Sequence, residues 1–133
     1  MSQKIIIVGN SISAEITFEL IKNDSRYEVL CFISDSEFIK ENTFCGLNVV
    51  DTTKLKDLYN PKEVKLVMAV GYRGLNKIRA ELFNKLKEQG FTFETYIHQD
   101  AKVYNSDKIG EGSFIMPNAV IEPFTKIGKN SVI

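Results

Sequence analysis

Seven aliphatic residues recur at intervals of six near the end of the chain, and this spacing restricts the fold more than any other feature. They are Ile97, Val103, Ile109, Ile115, Ile121, Ile127 and Ile133. A strand alternates with a period of two and a helix with a period of 3.6, so neither explains the spacing. A repeating unit of six residues is typical of a parallel β-helix, in which each unit forms one flat side of a triangular coil. We therefore predict that these aliphatic side chains point inward and stack from coil to coil.

The residues between the aliphatic positions support the same prediction. Small or polar residues, expected to point inward as well, lie four positions after each of the first six: Ala101, Asp107, Ser113, Ala119, Thr125 and Ser131. Glycine and asparagine tolerate positive φ best, so the corners are assigned to Gly110, Asn118, Gly128 and Asn130. Phe114 and Phe124 are expected to point outward, against a neighbouring protomer or the preceding domain.

The repeats are few for an array of this kind. At three units per coil, the intervals from Ile97 to Ile133 form only two coils. Repeat arrays generally need at least about three repeats and a capping element. We therefore expect this chain to be truncated and the native protein to run on for further coils.

Before the repeats, short apolar runs alternate with amphipathic stretches. Strands are predicted at 4–8, 27–33, 47–50, 64–70 and 91–97, and helices at 14–22 (with Ser13 as N-cap), from Thr52 or Thr53 to Tyr59, and at 75–88. This alternation predicts a parallel sheet with helices on both faces. The predicted fold is therefore α/β: a small Rossmann-like domain over residues 1–97, followed by a left-handed parallel β-helix over residues 98–133.

Three loops of the predicted sheet are candidates for ligand binding. Open parallel sheets bind ligands beyond the carboxyl ends of their strands, where the strand order reverses. The loops at that edge are 9–13, 34–37 and 71–74. The first opens a helix, whose N-terminal amides favour an anion such as a diphosphate.

Composition excludes several classes of protein. With 17 basic and 17 acidic residues the net charge is zero, which argues against a nucleic-acid partner. No apolar run approaches the ~20 residues that span a bilayer, and no signal peptide precedes the first strand, so a cytoplasmic protein is expected. Cys31 and Cys45 have no metal-ligand spacing. We predict two reduced thiols, no metal site and no membrane association.

Several motifs together resemble one known family over the whole chain. They are IIIVGNSISAE, FISD, LVMAVGYRGLNKIR, YIHQDAKV and IGEGSFIMPNAVIEPFTKIGKNSVI. The chain resembles the sialic acid O-acetyltransferase (NeuD) family of sugar acyltransferases, which includes the PglD-like N-acetyltransferases of the bacillosamine pathway. The resemblance implies that the first domain holds the nucleotide of a UDP-, dTDP- or GDP-linked sugar. It also implies a homotrimer that binds acetyl-CoA as cosubstrate between adjacent β-helices.

The resemblance also implies roles for individual residues. The phosphate-side loop of the family corresponds to Gly9, Asn10, Ser11, Ile12 and Ser13, although Ile12 and Ser13 replace a glycine and a histidine of the family. Ser34 and Asp35 match a pair that accepts hydrogen bonds from the base or ribose. Gly71 and Tyr72 match a loop beside the nucleotide, and Arg79 matches an arginine of the helix after it.

The catalytic histidine of the family has no counterpart among these residues. The resemblance implies that it follows Ile133 by about one further unit, and that His98 has a structural role at the domain junction. The chain is thus expected to bind the nucleotide without catalysing acetyl transfer, with N-acetylation the preferred reaction. Two other functions stay open: a nicotinamide-dependent oxidoreductase domain, although GxGxxG is missing, and a non-catalytic assembly module.

Overall fold

The computed structural model describes residues 2–71 and 76–133, and its first part is built on one sheet. The strands are β1 (Gln3–Val8), β2 (Tyr27–Ser34), β3 (Thr43–Phe44), β4 (Leu47–Asp51), β5 (Lys65–Met68) and β6 (Thr92–Phe93), in the order β3-β4-β2-β1-β5-β6. All neighbours are parallel except the hairpin pair β3 and β4. The helices are α1 (Ile12–Ile21), α2 (Leu55–Leu58) and α3 (Lys77–Glu88), and 3-10 turns occupy Ser36–Phe38 and Thr52–Lys54. The predicted α/β class with a parallel sheet is confirmed.

Strand β1 lies at the centre because both of its faces are apolar. Ile6 and Val8 pack on one face with Phe83 and Leu86 of α3. Ile7, on the other face, packs with Ala14 of α1 and with Phe32. A β-branched run that is buried on both sides is typical of a strand in the middle of a parallel sheet.

Two predicted boundaries were wrong. Helix α1 begins at Ile12 and its N-cap is Ser11, not Ser13, because the Ser11 carbonyl already accepts the amides of Ala14 and Glu15 at 3.0 and 3.1 Å. The strand predicted over 91–97 is two strands. Only β6 joins the sheet, whereas β7 (Tyr96–Ile97) pairs with β9 (Phe114–Ile115) in the coil.

The residues after β6 form parallel ladders with a constant register of 18. Tyr96 pairs with Phe114, Lys102 of β8 (Lys102–Val103) with Val120 of β10 (Val120–Ile121), Ile109 with Ile127, and Phe114 with Val132. Eighteen residues are three units of six, so each coil has three sides. This confirms the predicted hexapeptide coil.

Six of the seven period-six residues form one apolar stack, as predicted, whereas Ile133 is 44% exposed. Ile109, Ile115 and Ile121 are buried, and Ile97, Val103 and Ile127 pack against them. Ser113 is buried among them, where its hydroxyl donates to the Gly128 carbonyl at 2.8 Å. The inward prediction was wrong for Asp107, which is exposed on a 3-10 turn, Ser106–Lys108.

The corners of the coil, identified by positive φ, do not coincide with every predicted glycine. Positive φ occurs every six residues, at Gly112, Asn118, Phe124 and Asn130. The corner predictions were therefore correct for Asn118 and Asn130 and wrong for Gly110 and Gly128. Glycine is needed at Gly110 for a different reason, because a Cβ there would lie 2.6 Å from the Lys129 amide nitrogen of the next coil. The close approach of two backbones excludes a side chain at Gly110.

The two phenylalanines of the coil differ. Phe114 is buried and stacks on Tyr96 with ring centroids 4.7 Å apart, in a cluster with Ile5 and Ile21 of the first part of the chain. Packing against the preceding domain was one of the two predicted outcomes for Phe114. Phe124 is a corner residue and is 84% exposed.

Two kinds of feature are absent from residues 2–71 and 76–133. No helix there has both the length and the apolar character needed to cross a bilayer. No group of three or more His, Cys, Asp and Glu side chains there is arranged around a metal position. Both cysteines are free thiols.

Candidate functional site

The strand order reverses between β1 and β5, so the switch point lies at their carboxyl ends. The chain leaves β1 through Gly9, which has a φ of 125°. A Cβ on Gly9 would lie 2.9 Å from the Ala69 carbonyl oxygen, directly after β5. Only glycine fits here, because the backbone conformation and the close approach both exclude a side chain.

The loop after β1 delivers the N-terminus of α1 to this switch point. Ser11 caps the helix through its carbonyl, and its side chain makes no capping hydrogen bond. The first amides of a helix have no acceptor within it, and those of α1 belong to Ile12 and Ser13. A Cβ on Gly71 would lie 3.6 Å from the Ser13 hydroxyl, so the loop after β5 borders the same helix end. The arrangement suits an anionic group such as a diphosphate.

A cavity of about 130 Å³ lies beside this helix end and is bounded by both parts of the chain. Its described lining comes from α1, the end of β5, α3 and the coil: Ser13, Ile16, Thr17, Met68, Ala69, Val70, Gly71, Arg79, Phe114, Met116 and Val132. The sequence reasoning missed Met116 and Val132 as site residues. The six-residue pattern could have identified them. Each is adjacent in sequence to an inward position, Ile115 or Ile133, and therefore faces outward on one side of the coil.

Arg79 connects the site to the coil instead of facing solvent. The residue is 4% exposed. Its Nη1 donates to the Val70 carbonyl at 2.8 Å and its Nε to the Asn130 carbonyl at 3.3 Å. Arg79 thus holds the end of β5 against a corner of the second coil. Tyr72, the other predicted residue of this loop, lies outside the described residues.

A second cleft, of about 340 Å³, opens on the β2 side of the same loop. It is lined by Asn10, Phe38, Lys40, Glu41, Thr43, Phe44 and Val49. The Asn10 Nδ2 donates to the Phe38 carbonyl at 2.9 Å, which ties the loop after β1 to the turn after β2. Of these residues only Asn10 was a predicted site residue. Phe38, Lys40 and Glu41 lie between β2 and β3, where the local pattern gives no sign of the cleft, and the rest belong to β3 and β4.

The predicted Ser34 and Asp35 mark the end of β2 between the two openings. Ser34 is buried and pairs with Asp51 of β4 in the sheet. Asp35 is partly buried, and its carbonyl accepts the Phe38 amide at 2.9 Å in the 3-10 turn. Neither residue is among the described lining of the two cavities. An acidic residue at this strand end is placed to meet a ribose in nucleotide-binding sheets.

A separate polar cluster fastens the coil to the sheet domain, and none of its residues is among the described lining of the two cavities. The buried Asp24 carboxylate accepts hydrogen bonds from Arg26 Nη2 at 2.7 Å and from the Tyr96 hydroxyl at 3.1 Å. Arg26 also donates to the Ile97 carbonyl at 2.8 Å. The hydrogen bond from Arg26 lowers the pKa of Asp24 to about 2, and burial raises the pKa of Tyr96 to about 12.

His98 lies beside this cluster and not at the switch point. Its Nδ1 accepts the Asp100 amide at 3.0 Å, an arrangement that closes a turn at the start of the coil. His98 is absent from the described lining of either cavity. The geometry agrees with a structural role.

Both parts of the chain match known families. Residues 4–86 match the PglD N-terminal domain, and residues 108–133 match the bacterial transferase hexapeptide (six repeats). A comparison with curated proteins gave no significant match.

Solved structures are similar over nearly the whole chain. The acetyltransferase domain of PglB from Neisseria gonorrhoeae, in complex with acetyl coenzyme A, is 26% identical with a TM-score of 0.83. PerB from Caulobacter crescentus, in complex with CoA and GDP-perosamine, is 26% identical with a TM-score of 0.80. The similarity covers 100% of this chain and 62% of the PglB chain, and 98% of this chain and 59% of the PerB chain. The chain thus spans about three fifths of the length of these structures.

Proposed function

Because the chain belongs to the PglD N-terminal domain family, we propose that it is the substrate-binding part of an acetyl-CoA-dependent acetyltransferase acting on a nucleotide-linked amino sugar. The PglB structure holds acetyl coenzyme A, and the PerB structure holds CoA and GDP-perosamine. N-acetylation of such a sugar, in the synthesis of surface glycans, is the reaction we assign to the whole protein. The 133-residue chain itself is proposed to bind the nucleotide without catalysis.

One observation carries the proposal: the cavity at the switch point is lined by the first turns of α1, by the end of β5 and by the coil. We assign the diphosphate to the amides of the loop Gly9, Asn10, Ser11, Ile12 and Ser13, with Gly71 on the opposite side. The sugar would then extend towards the coil. Acetyl transfer needs that direction, because the resemblance implies that the catalytic histidine lies on the β-helix.

The remaining predicted residues receive proposed roles of different kinds. Ser34 and Asp35, at the end of β2, are assigned to the ribose, as acidic residues at this position are in nucleotide-binding sheets. Tyr72 is kept as a nucleotide contact on the resemblance alone. Arg79 is assigned a positioning role, because its two described hydrogen bonds go to the Val70 and Asn130 carbonyls.

The division of labour between the two parts of the chain is also proposed. Residues 1–97 would bind the nucleotide, and residues 98–133 would begin the coil that forms the homotrimer and the acetyl-CoA site. The general base would be a histidine in a hexapeptide unit after Ile133. The cytoplasm, where acetyl-CoA and nucleotide sugars are made, is the proposed location.

Calorimetric titration with UDP, dTDP, GDP and NAD tests the assignment. Binding of at least one nucleoside diphosphate, with no response to NAD, is the expected result. Preferential binding of NAD would replace the proposal with an oxidoreductase domain. If none of the four ligands binds, the chain would instead be a non-catalytic assembly module.

A substitution at Ser11 tests whether the diphosphate lies at the α1 N-terminus. Aspartate caps a helix as well as serine does, so Ser11→Asp keeps the fold. Its carboxylate would repel the diphosphate, and we expect affinity to fall by roughly tenfold or more. Ser11→Asn is the matched control, because asparagine is an equally good cap without charge. Equal affinity of the two variants would remove the diphosphate from this position.

A further inference from the structure

The cleft on the β2 side of the loop has the position of a base subsite, given the proposed function. It is continuous with the diphosphate loop, because Asn10 belongs to both. The volume of about 340 Å³ falls within the range of small-molecule sites. A nucleotide whose diphosphate lies at the α1 N-terminus and whose ribose meets the end of β2 would place its base here.

One wall of the cleft is rigid and apolar. Phe44 packs edge-on against the buried Phe32, with ring centroids 5.0 Å apart. Val49 packs against the same apolar cluster. Across the opening, Phe38 is 58% exposed, while its carbonyl is held by Asn10 Nδ2. Exposed aromatic rings stack on the flat faces of bases.

The two charged groups of the cleft are of opposite sign and adjacent in sequence. Lys40 and Glu41 both line it, and both are exposed. Among the described residues, neither takes part in an ion pair. Each is therefore available to a ligand: one ammonium donor and one carboxylate acceptor.

This pair of groups discriminates between bases. Guanine presents acceptors at O6 and N7, which suit a lysine, and neighbouring N–H donors at N1 and N2, which suit a carboxylate. Uracil and thymine present a single N–H between two carbonyl oxygens. A carboxylate that accepts this N–H would face at least one carbonyl lone pair, which is unfavourable.

We propose that the cleft formed by Asn10, Phe38, Lys40 and Glu41 binds guanine, so that the substrate is a GDP-linked sugar. Glu41 accepts the N1 and N2 hydrogens, Lys40 donates to O6 or N7, and Phe38 stacks on the base. The inference rests on the proposed function and narrows it from three nucleotides to one.

Competition among nucleotides tests the inference. We expect GDP to bind roughly tenfold or more tightly than UDP and dTDP in calorimetric titration. IDP, which lacks the N2 amino group, should bind several-fold more weakly than GDP. UDP or dTDP bound as tightly as GDP would overturn the guanine assignment and leave the proposed function standing. Absence of binding by every nucleoside diphosphate would overturn both.

Variants at Glu41 identify the residue responsible. Glu41→Gln should weaken GDP binding about tenfold, bring GDP and IDP close together, and change UDP binding by less than about twofold. Glu37→Gln is the matched control, because Glu37 is exposed on the 3-10 turn next to the cleft and does not line it. A Glu41→Gln variant that still prefers GDP over IDP as strongly as the parent would contradict the role of Glu41.

Discussion

The sheet domain and the coil bury their apolar side chains in different ways. In the sheet domain, Ile6 contacts a cluster drawn from strands and helices up to Phe93, far along the chain. In the coil, Ile115 pairs with Ile97, 18 positions before it, and packs in one stack with Ile109 and Ile121. The core of the sheet domain has neighbours in all directions, whereas the core of the coil is a single column of stacked side chains.

This difference determines how each part responds to change. A column has few neighbours per residue and its cohesion comes from the next coil, as in other repeat proteins. A residue of the sheet core has neighbours from several elements, and these can relax together around a substitution and reduce its effect on stability. The stability of the coil should therefore depend strongly on where in the column a substituted residue lies. The following substitutions test this expectation.

Removal of a side chain from the middle of the column should have the largest effect. Ile115 is completely buried, so Ile115→Ala should lower the free energy of unfolding by about 3 to 4 kcal/mol, measured by urea denaturation. Val120→Ala, on the outside of the coil at 60% exposure, is the control and should change it by less than about 0.5 kcal/mol. Equal losses for both would mean that the column does not hold the coil together.

Two stacked glycines separate backbone contact from residue type. Gly110→Ala should lower the free energy of unfolding by about 2 to 3 kcal/mol, because the new Cβ would lie 2.6 Å from the Lys129 nitrogen. Gly128→Ala, one coil further on, should be nearly neutral, since its Cβ would meet only the Ser131 hydroxyl at 3.9 Å. Thermal unfolding of both variants measures the difference, and similar melting temperatures would contradict the close approach.

Acid should weaken the junction between the two parts. The pKa of Asp24 is about 2 in the fold against a usual 3.8, so its contribution of about 2 kcal/mol is complete above pH 4. That contribution is lost as pH falls from 4 towards 2, because the carboxylate must then be protonated. Unfolding at pH 5 and pH 2.5 should show a smaller loss for Asp24→Asn than for the parent. The exposed substitution Asp57→Asn should keep the full acid-dependent loss.

The smallest expected effect concerns an exposed corner. Phe124 has a φ of 67°, where a phenylalanine is strained by roughly 1 kcal/mol. Phe124→Asn would give it the residue type of Asn118 and Asn130, the corners on either side. Part of the gain is offset by the contact of Lys108 with the ring, 5.7 Å from its centroid. We expect the free energy of unfolding to rise by about 0.5 kcal/mol in chemical denaturation, and a decrease would show that the ring packs usefully.

The coil was predictable almost residue by residue, because its contacts repeat in the sequence itself. The period of six defined the inward positions and, with the three sides of a β-helix coil, also the register. The features that were not predicted depend on backbone geometry. They are the corner at Phe124, where the residue type argues against positive φ, and the close approach of two backbones that requires glycine at Gly110. Asp107 failed because a 3-10 turn replaces the flat side there.

The sheet domain was predictable only as an order of elements. Apolar runs located β1 and β5, and the reversal between them followed from topology. The cleft at Phe38 and Glu41 could not be predicted, because it forms from a loop of irregular pattern that tertiary contacts fold towards Asn10. The junction at Tyr96 was missed for a similar reason, because the run 91–97 has the pattern of one continuous strand, although its two halves pair in different sheets.

The register of 18 constrains how a coil of this kind can change during evolution. One added or lost residue on a flat side would turn every later inward isoleucine towards solvent. Length can therefore change by whole units of six, which keep the inward phase, or by insertions that bulge out at a corner and rejoin in phase. The genetic record of such a protein should show indels in the coil as multiples of six, or grouped near positions such as Asn118, while loops of the sheet domain vary freely in length.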